Sequence, residues 1–126
     1  MATLWMITNR EQKGGELGKG AGPLTYWRTD KTGPAGKLKK LNNWEELTSA
    51  KFVGELRRYV DEEFPDLPDD ENERERHVTL FVHGFNNSWE DALGRYQQIS
   101  SAILNKPKLG TCVLFTWPSD GQKVGY

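Results

Sequence analysis

Three segments in close succession constrain this chain more than any other feature. Val78 to Val82 is a short apolar run with β-branched and aromatic residues, Ser88 to Asn105 has helical periodicity, and Thr111 to Trp117 is apolar again. Strand, helix and strand in that order make a βαβ unit, whose strands are parallel neighbours joined by a right-handed crossover. Apolar runs without alternation expect cover on both faces of their sheet. Between the first strand and the helix lies His83-Gly84-Phe85-Asn86-Asn87, a tight polar turn leading into a helix N-terminus, where backbone N–H groups can meet an oxyanion. Ser88 is a good N-cap, and Asp91 three residues on completes a capping box; Ala92, Leu93, Tyr96, Ile99, Ala102 and Ile103 form the buried stripe.

The remainder of the chain sorts around that unit. Leu4 to Thr8 reads as a first strand and Leu24 to Thr29 as a second, paired as an antiparallel ribbon. Lys13 to Pro23, with five glycines, reads as a flexible loop between them; it lacks the Gly-x-x-x-x-Gly-Lys-Ser/Thr pattern of a phosphate loop. Thr32 to Lys40 reads as another connection. Phe52, Val53, Leu56, Tyr59, Val60 and Glu63-Phe64 share one helical face, with Thr48 or Ser49 as N-cap and Pro65 and Pro68 as the stop. Residues 65–76 form an acidic, proline-bearing linker expected to be disordered. A chain of 126 residues is one domain at most. It divides into residues 1–64 with the first strands and helix, the linker 65–76, and the βαβ unit 77–126.

Charge and composition mainly exclude. Seventeen basic and eighteen acidic side chains leave a net charge of −1, so no overall field points to nucleic acid or an anionic membrane. Asp61 to Arg76 holds nine acids and two arginines, and Arg10 to Lys40 eight basic residues and three acids; both runs read as solvated surface. Trp27, Arg28, Lys31 and Lys37 to Lys40 could stack bases and hold phosphates, but a lysine-rich loop explains them as well, and no nucleic-acid partner is expected. The single Cys112 excludes an internal disulfide and reads as a small core residue; two histidines and one cysteine show no metal-ligand spacing. No cofactor is implied. No stretch reaches the roughly 18 apolar residues of a membrane span, and nothing resembles a signal peptide, so the cytoplasm is the expected location.

Val82-His83-Gly84-Phe85-Asn86-Asn87-Ser88, followed by Phe115-Thr116-Trp117-Pro118-Ser119-Asp120-Gly121, resembles the front half of an α/β-hydrolase. More narrowly it resembles a group of bacterial serine-hydrolase-like proteins with Val-His-Gly-Tyr/Phe-Asn-Asn-Ser and Trp-Pro-Ser-x-Gly motifs; Thr8-Asn9-Arg10 is similar to their N-terminal Thr-Asn-Arg. The resemblance implies an incomplete α/β-hydrolase-like sheet, with the N-terminal antiparallel ribbon followed by the parallel βαβ unit. It implies hydrolysis of an ester or related acyl substrate, a small molecule. It assigns the backbone N–H of Phe85 to the oxyanion hole, with Gly84 allowing the close turn and His83 bracing it, and it leaves Asn86 and Asn87 to fix the loop or meet substrate.

No Gly-x-Ser-x-Gly occurs in the chain, so the nucleophile elbow is missing and the serine, acid and catalytic histidine are expected beyond Tyr126. The chain alone is then expected to be inactive. The sheet looks cut short, or completed by a homo-oligomer or a complementing C-terminal chain. The alternative is a non-catalytic hydrolase-like module that binds a partner or dimerises through an unfinished sheet edge.

Overall fold

The computed structural model describes residues 3–63, 78–84, 87–104 and 111–118, with the side chains of residues 63 and 102–104 left aside. A five-stranded mixed sheet runs in the order β3-β2-β1-β5-β4. Its strands are β1 (Leu4–Lys13), β2 (Glu16–Thr29), β3 (Glu45–Leu47), β4 (Val78–Val82) and β5 (Thr111–Thr116). β1 pairs antiparallel with β2 and parallel with β5, and β4 pairs parallel with β5. This is the incomplete α/β arrangement the sequence suggests, an antiparallel ribbon followed by a parallel strand pair.

The ribbon corrects one expectation. Lys13 to Pro23 is not a loop: β1 continues to Lys13, β2 begins at Glu16, and only Gly14 and Gly15 turn, at φ 61° and 77°. Two consecutive positive φ values suit the right-handed twist of a two-residue hairpin, and a Gly-Gly pair adopts them without strain. The other three glycines serve the pairing. A Cβ on Gly18 or Gly20 would come within 2.9 Å or 2.8 Å of the Glu11 side chain, and one on Gly22 within 2.9 Å of the Glu11 Cα. The register slips between Thr8 and Arg10 and again between Arg10 and Gln12, so β2 bulges around this part of β1.

The segment read as a connection, Thr32 to Lys40, holds the one-turn helix α1 (Ala35–Leu38), and a 3-10 turn over Leu41–Asn43 follows. Leu38, Leu41 and Trp44 are buried, and the Trp44 indole donates to the Leu38 carbonyl at 2.7 Å, so packing fixes a stretch too short for periodicity to reveal. β3, which no strand signal marked, forms because it pairs with Tyr26 to Arg28.

Helix α2 (Ser49–Glu63) starts where the cap signal placed it: Thr48 Oγ1 accepts from the Lys51 N–H at 3.2 Å. It covers one face of the sheet with Phe52 and Leu56 against Trp5, Leu47 and Val113. Val53, counted on the apolar face, is instead about half exposed. Helix α3 (Trp89–Leu104) covers the opposite face with Trp89, Leu93 and Tyr96 against Leu4, Met6 and Leu114. Its capping box forms in both directions: Asp91 N–H donates to Ser88 Oγ at 3.1 Å and Ser88 N–H to Asp91 Oδ2 at 3.4 Å. Tyr96 fastens α3 to the sheet, its hydroxyl accepting from Trp5 N–H (2.9 Å) and donating to the Cys112 carbonyl (2.7 Å).

Among the described residues, nothing covers one part of the sheet. α2 lies over β1, β2 and β3, and on the same face Val78, Leu80 and Val82 of β4 are 47–54% exposed. Among the described residues, a βαβ pair with apolar residues on both faces therefore has only the α3 side filled at β4. The linker 65–76, Phe64, Pro65 and the residues from Ser119 onward lie outside the described residues, as do the side chains of Ala102 and Ile103.

Candidate active-site turn

The turn after β4 is held by hydrogen bonds whose direction can be worked out from the chemistry of each partner. His83 is 3% exposed, with Nδ1 2.8 Å from the Gly84 carbonyl and Nε2 2.9 Å from Thr116 Oγ1. The Trp117 backbone N–H also reaches Nε2, at 3.1 Å. A backbone N–H can only donate, so Nε2 carries no proton and accepts. The proton then sits on Nδ1, which donates to the Gly84 carbonyl. The imidazole ring stacks on Trp117 (5.6 Å, 5° between planes), whose indole N–H donates to the His83 carbonyl at 3.1 Å.

Asn87 completes the arrangement, its Nδ2 donating to the same Gly84 carbonyl at 2.9 Å. Among the described residues, Gly84 has no close neighbour that a Cβ would strike, the nearest being Asn87 Nδ2 at 3.5 Å. Of the five residues singled out from the sequence, His83, Gly84 and Asn87 converge on one carbonyl. Phe85 and Asn86 lie outside the described residues.

The structure adds residues that the motif reading left aside. Arg10 is 1% exposed: its Nε donates to Thr116 Oγ1 (2.9 Å), Nη1 to the Gly18 carbonyl (3.1 Å) and Nη2 to the Asn87 carbonyl (2.8 Å). Thr8 Oγ1 donates to the Thr116 carbonyl (2.9 Å) and accepts from the Arg10 N–H (3.0 Å). The Thr8-Asn9-Arg10 segment, the start of the turn and the end of β5 thus share one buried polar cluster at the C-terminal ends of the parallel strands. Open α/β sheets bind ligands at that end. The only sequence signal for Arg10 and Thr8 was their likeness to a Thr-Asn-Arg motif.

Other chemistries find less support in the geometry. Cys112 is buried in the core, and burial pushes its thiol up to about 11, the reverse of what a nucleophilic thiolate needs. Trp27 is buried, with its indole N–H on Thr25 Oγ1, so the basic stretch around it lacks the ring that would stack bases. Among the described residues no three His, Cys, Asp or Glu side chains come together as metal ligands, and no helix is long and apolar enough to cross a membrane.

A strand–turn–helix–strand unit with its polar cluster at the strand ends is the architecture of an α/β-hydrolase front half. Residues 62–126, half of the chain, match the family described as alpha/beta hydrolase of unknown function (DUF900), and the chain belongs to that family. No curated protein and no solved structure matches it.

Proposed function

We propose that this chain contributes the oxyanion-stabilising turn of a serine hydrolase acting on carboxylic esters or related small acyl substrates. The observation that carries the reading is the Gly84 carbonyl, which two donors, His83 Nδ1 and Asn87 Nδ2, hold at 2.8 Å and 2.9 Å. In a trans peptide the N–H lies opposite the preceding carbonyl. Two donors on the Gly84 oxygen fix that carbonyl, and in this reading the backbone N–H of Phe85 is the oxyanion donor. A backbone donor fixed before the reaction begins stabilises developing negative charge without reorganising. In this reading His83 braces the turn and is no general base, since both its ring nitrogens are engaged. Asn87 fixes the loop, and Asn86 remains for substrate.

With no Gly-x-Ser-x-Gly in the sequence, the nucleophile comes from elsewhere, and we expect no turnover of activated esters by the 126-residue chain alone. The test compares that chain with one extended by whatever coding sequence follows codon 126 in frame, or mixed with that segment as a separate chain. Where turnover appears, Phe85→Pro, which deletes the amide N–H, should lower kcat by about 10²–10³. An unchanged rate with the fold intact would remove Phe85 from the oxyanion hole. Esterase activity of the short chain lost on Cys112→Ala or Ser119→Ala would overturn the division of labour.

A second reading, a non-catalytic module that binds a further chain or a second copy, is favoured by the exposed apolar face of Val78, Leu80 and Val82. Light scattering on the short chain separates the two: a stable dimer with no turnover in any extended form supports the module.

A further inference from the structure

The hydrolase reading uses the turn but leaves unexplained why a guanidinium is buried beside it. Removing a cation from water is costly unless every donor is matched. Arg10 meets that cost across three separate segments: Gly18 in β2, Thr116 at the end of β5 and Asn87 at the entry to α3. The hairpin is distorted where this happens. The register slips on both sides of Arg10, and Gly18, Gly20 and Gly22 let β2 close on Glu11 where any Cβ would collide. A regular ribbon would need neither bulges nor glycines here.

The chemistry of arginine also gives the cluster a direction. A guanidinium has no acceptor, so Thr116 Oγ1 must accept from Arg10 Nε and turn its own proton toward His83 Nε2. Nε2 thereby receives two donors, Thr116 and the Trp117 amide, and the imidazole donates its Nδ1–H to the Gly84 carbonyl. Through Nη2 the same side chain holds the Asn87 carbonyl, while the Asn87 amide group holds Gly84. Both donors on the Gly84 oxygen thus trace back to Arg10.

We propose that Arg10 is a positioning residue for the active-site turn, with the β1–β2 hairpin bulged to deliver its guanidinium to Thr116 and Asn87. Its catalytic meaning rests on the hydrolase reading; its structural content does not. Lysine at this position is a point donor and cannot reach three acceptors in a fixed fork. Arg10→Lys should therefore keep the charge and lose the placement.

The test is heteronuclear NMR on the 126-residue chain. In the wild type the Arg10 Nε–H should exchange at least about 10-fold more slowly than those of the exposed Arg57 and Arg58, and His83 should appear as the Nδ1-protonated tautomer. Arg10→Lys should displace the Gly84, Asn87 and Trp117 amide signals. Phe52→Ala, which hollows the core on the α2 face of the sheet away from the cluster, should lower stability yet leave those signals in place. The proposal fails if Arg10→Lys leaves the three amides at wild-type positions, or if Phe52→Ala moves them equally. Should Arg10→Lys not fold, wild-type exchange decides: an Arg10 Nε–H as labile as that of Arg57 overturns the proposal. In any extended form that turns over esters, Arg10→Lys should lower kcat about 10-fold or more with KM within about 2-fold. Absence of turnover in every form, with the NMR signature present, sinks the hydrolase reading and leaves the positioning role standing.

Discussion

Thr116→Val is the most direct probe of the buried cluster, because it deletes one hydroxyl and little else. Valine matches threonine in shape and favours strands at least as well, so β5 loses no propensity. The hydroxyl is completely buried and lies 2.9 Å from both Arg10 Nε and His83 Nε2. His83 keeps the Trp117 N–H at 3.1 Å, so its acceptor is not orphaned. Arg10 Nε is left facing a methyl group, and a lost hydrogen bond to a charged group costs about 1.5–3 kcal/mol. With a urea m-value of about 2 kcal/mol/M for a domain of this size, the unfolding midpoint should fall by about 1 M at unchanged m. Thr116→Ser, which restores the hydroxyl, should recover most of the loss. A Thr116→Val midpoint within about 0.3 M of wild type would mean that the Arg10–Thr116–His83 chain does not form, and the orientation argued for the Gly84 carbonyl would go with it.

Tyr96→Phe strips the hydroxyl that joins Trp5 N–H and the Cys112 carbonyl; urea unfolding should show a loss of about 1–3 kcal/mol, with the His83 and Trp117 signals unmoved. Cys112 supplies a pH test. Its thiol is raised from an ordinary 9.0 to about 11 by burial, so the folded state holds the proton more tightly than the unfolded chain. The stability linked to it is complete below pH 9 and is lost as pH rises from 9 through 11, by up to about 3 kcal/mol at about 1.4 kcal/mol per pH unit. Cys112→Ala should remove that component of the alkaline slope, and equal slopes in the two proteins would refute it. Leu80→Ser, on the bare face of β4, should cost less than about 1 kcal/mol, because that side chain is already 54% exposed. A loss above about 2 kcal/mol in dilute protein would show that the face is covered in solution.

What the sequence revealed was local. The capping box at Ser88 and Asp91 and the Thr48 cap depend on residues three apart, and both appear where expected. The antiparallel ribbon and the parallel β4–β5 pair follow from apolar runs and connection length. Five glycines within eleven residues hid the hairpin's true length, although Gly14-Gly15 is a turn signal in itself. β3 and α1 have three and four residues, too few for any period, and they exist because Tyr26 to Arg28 offer an edge and Trp44 a core to fill. Arg10 was the hardest to see. A lone arginine beside a polar ribbon looks like surface, and its partners lie 8, 77 and 106 residues away.

The same long separations explain how a weakly packed strand can be followed by anchored residues, His83, Gly84 and Asn87. β4 lies at the sheet edge with three side chains half exposed, so its own packing constrains the turn after it only slightly. The anchors come from elsewhere: Arg10 on β1, Thr116 and Trp117 at the end of β5, and Asn87 ahead of α3. β1 and β5 are both interior strands, covered by α2 on one side and α3 on the other. His83, Gly84 and Asn87 are therefore anchored to well-packed strands. Among the described residues the face of β4 with Val78, Leu80 and Val82 is left uncovered, whereas the contacts that hold the Gly84 carbonyl lie on β1, β5 and the entry to α3.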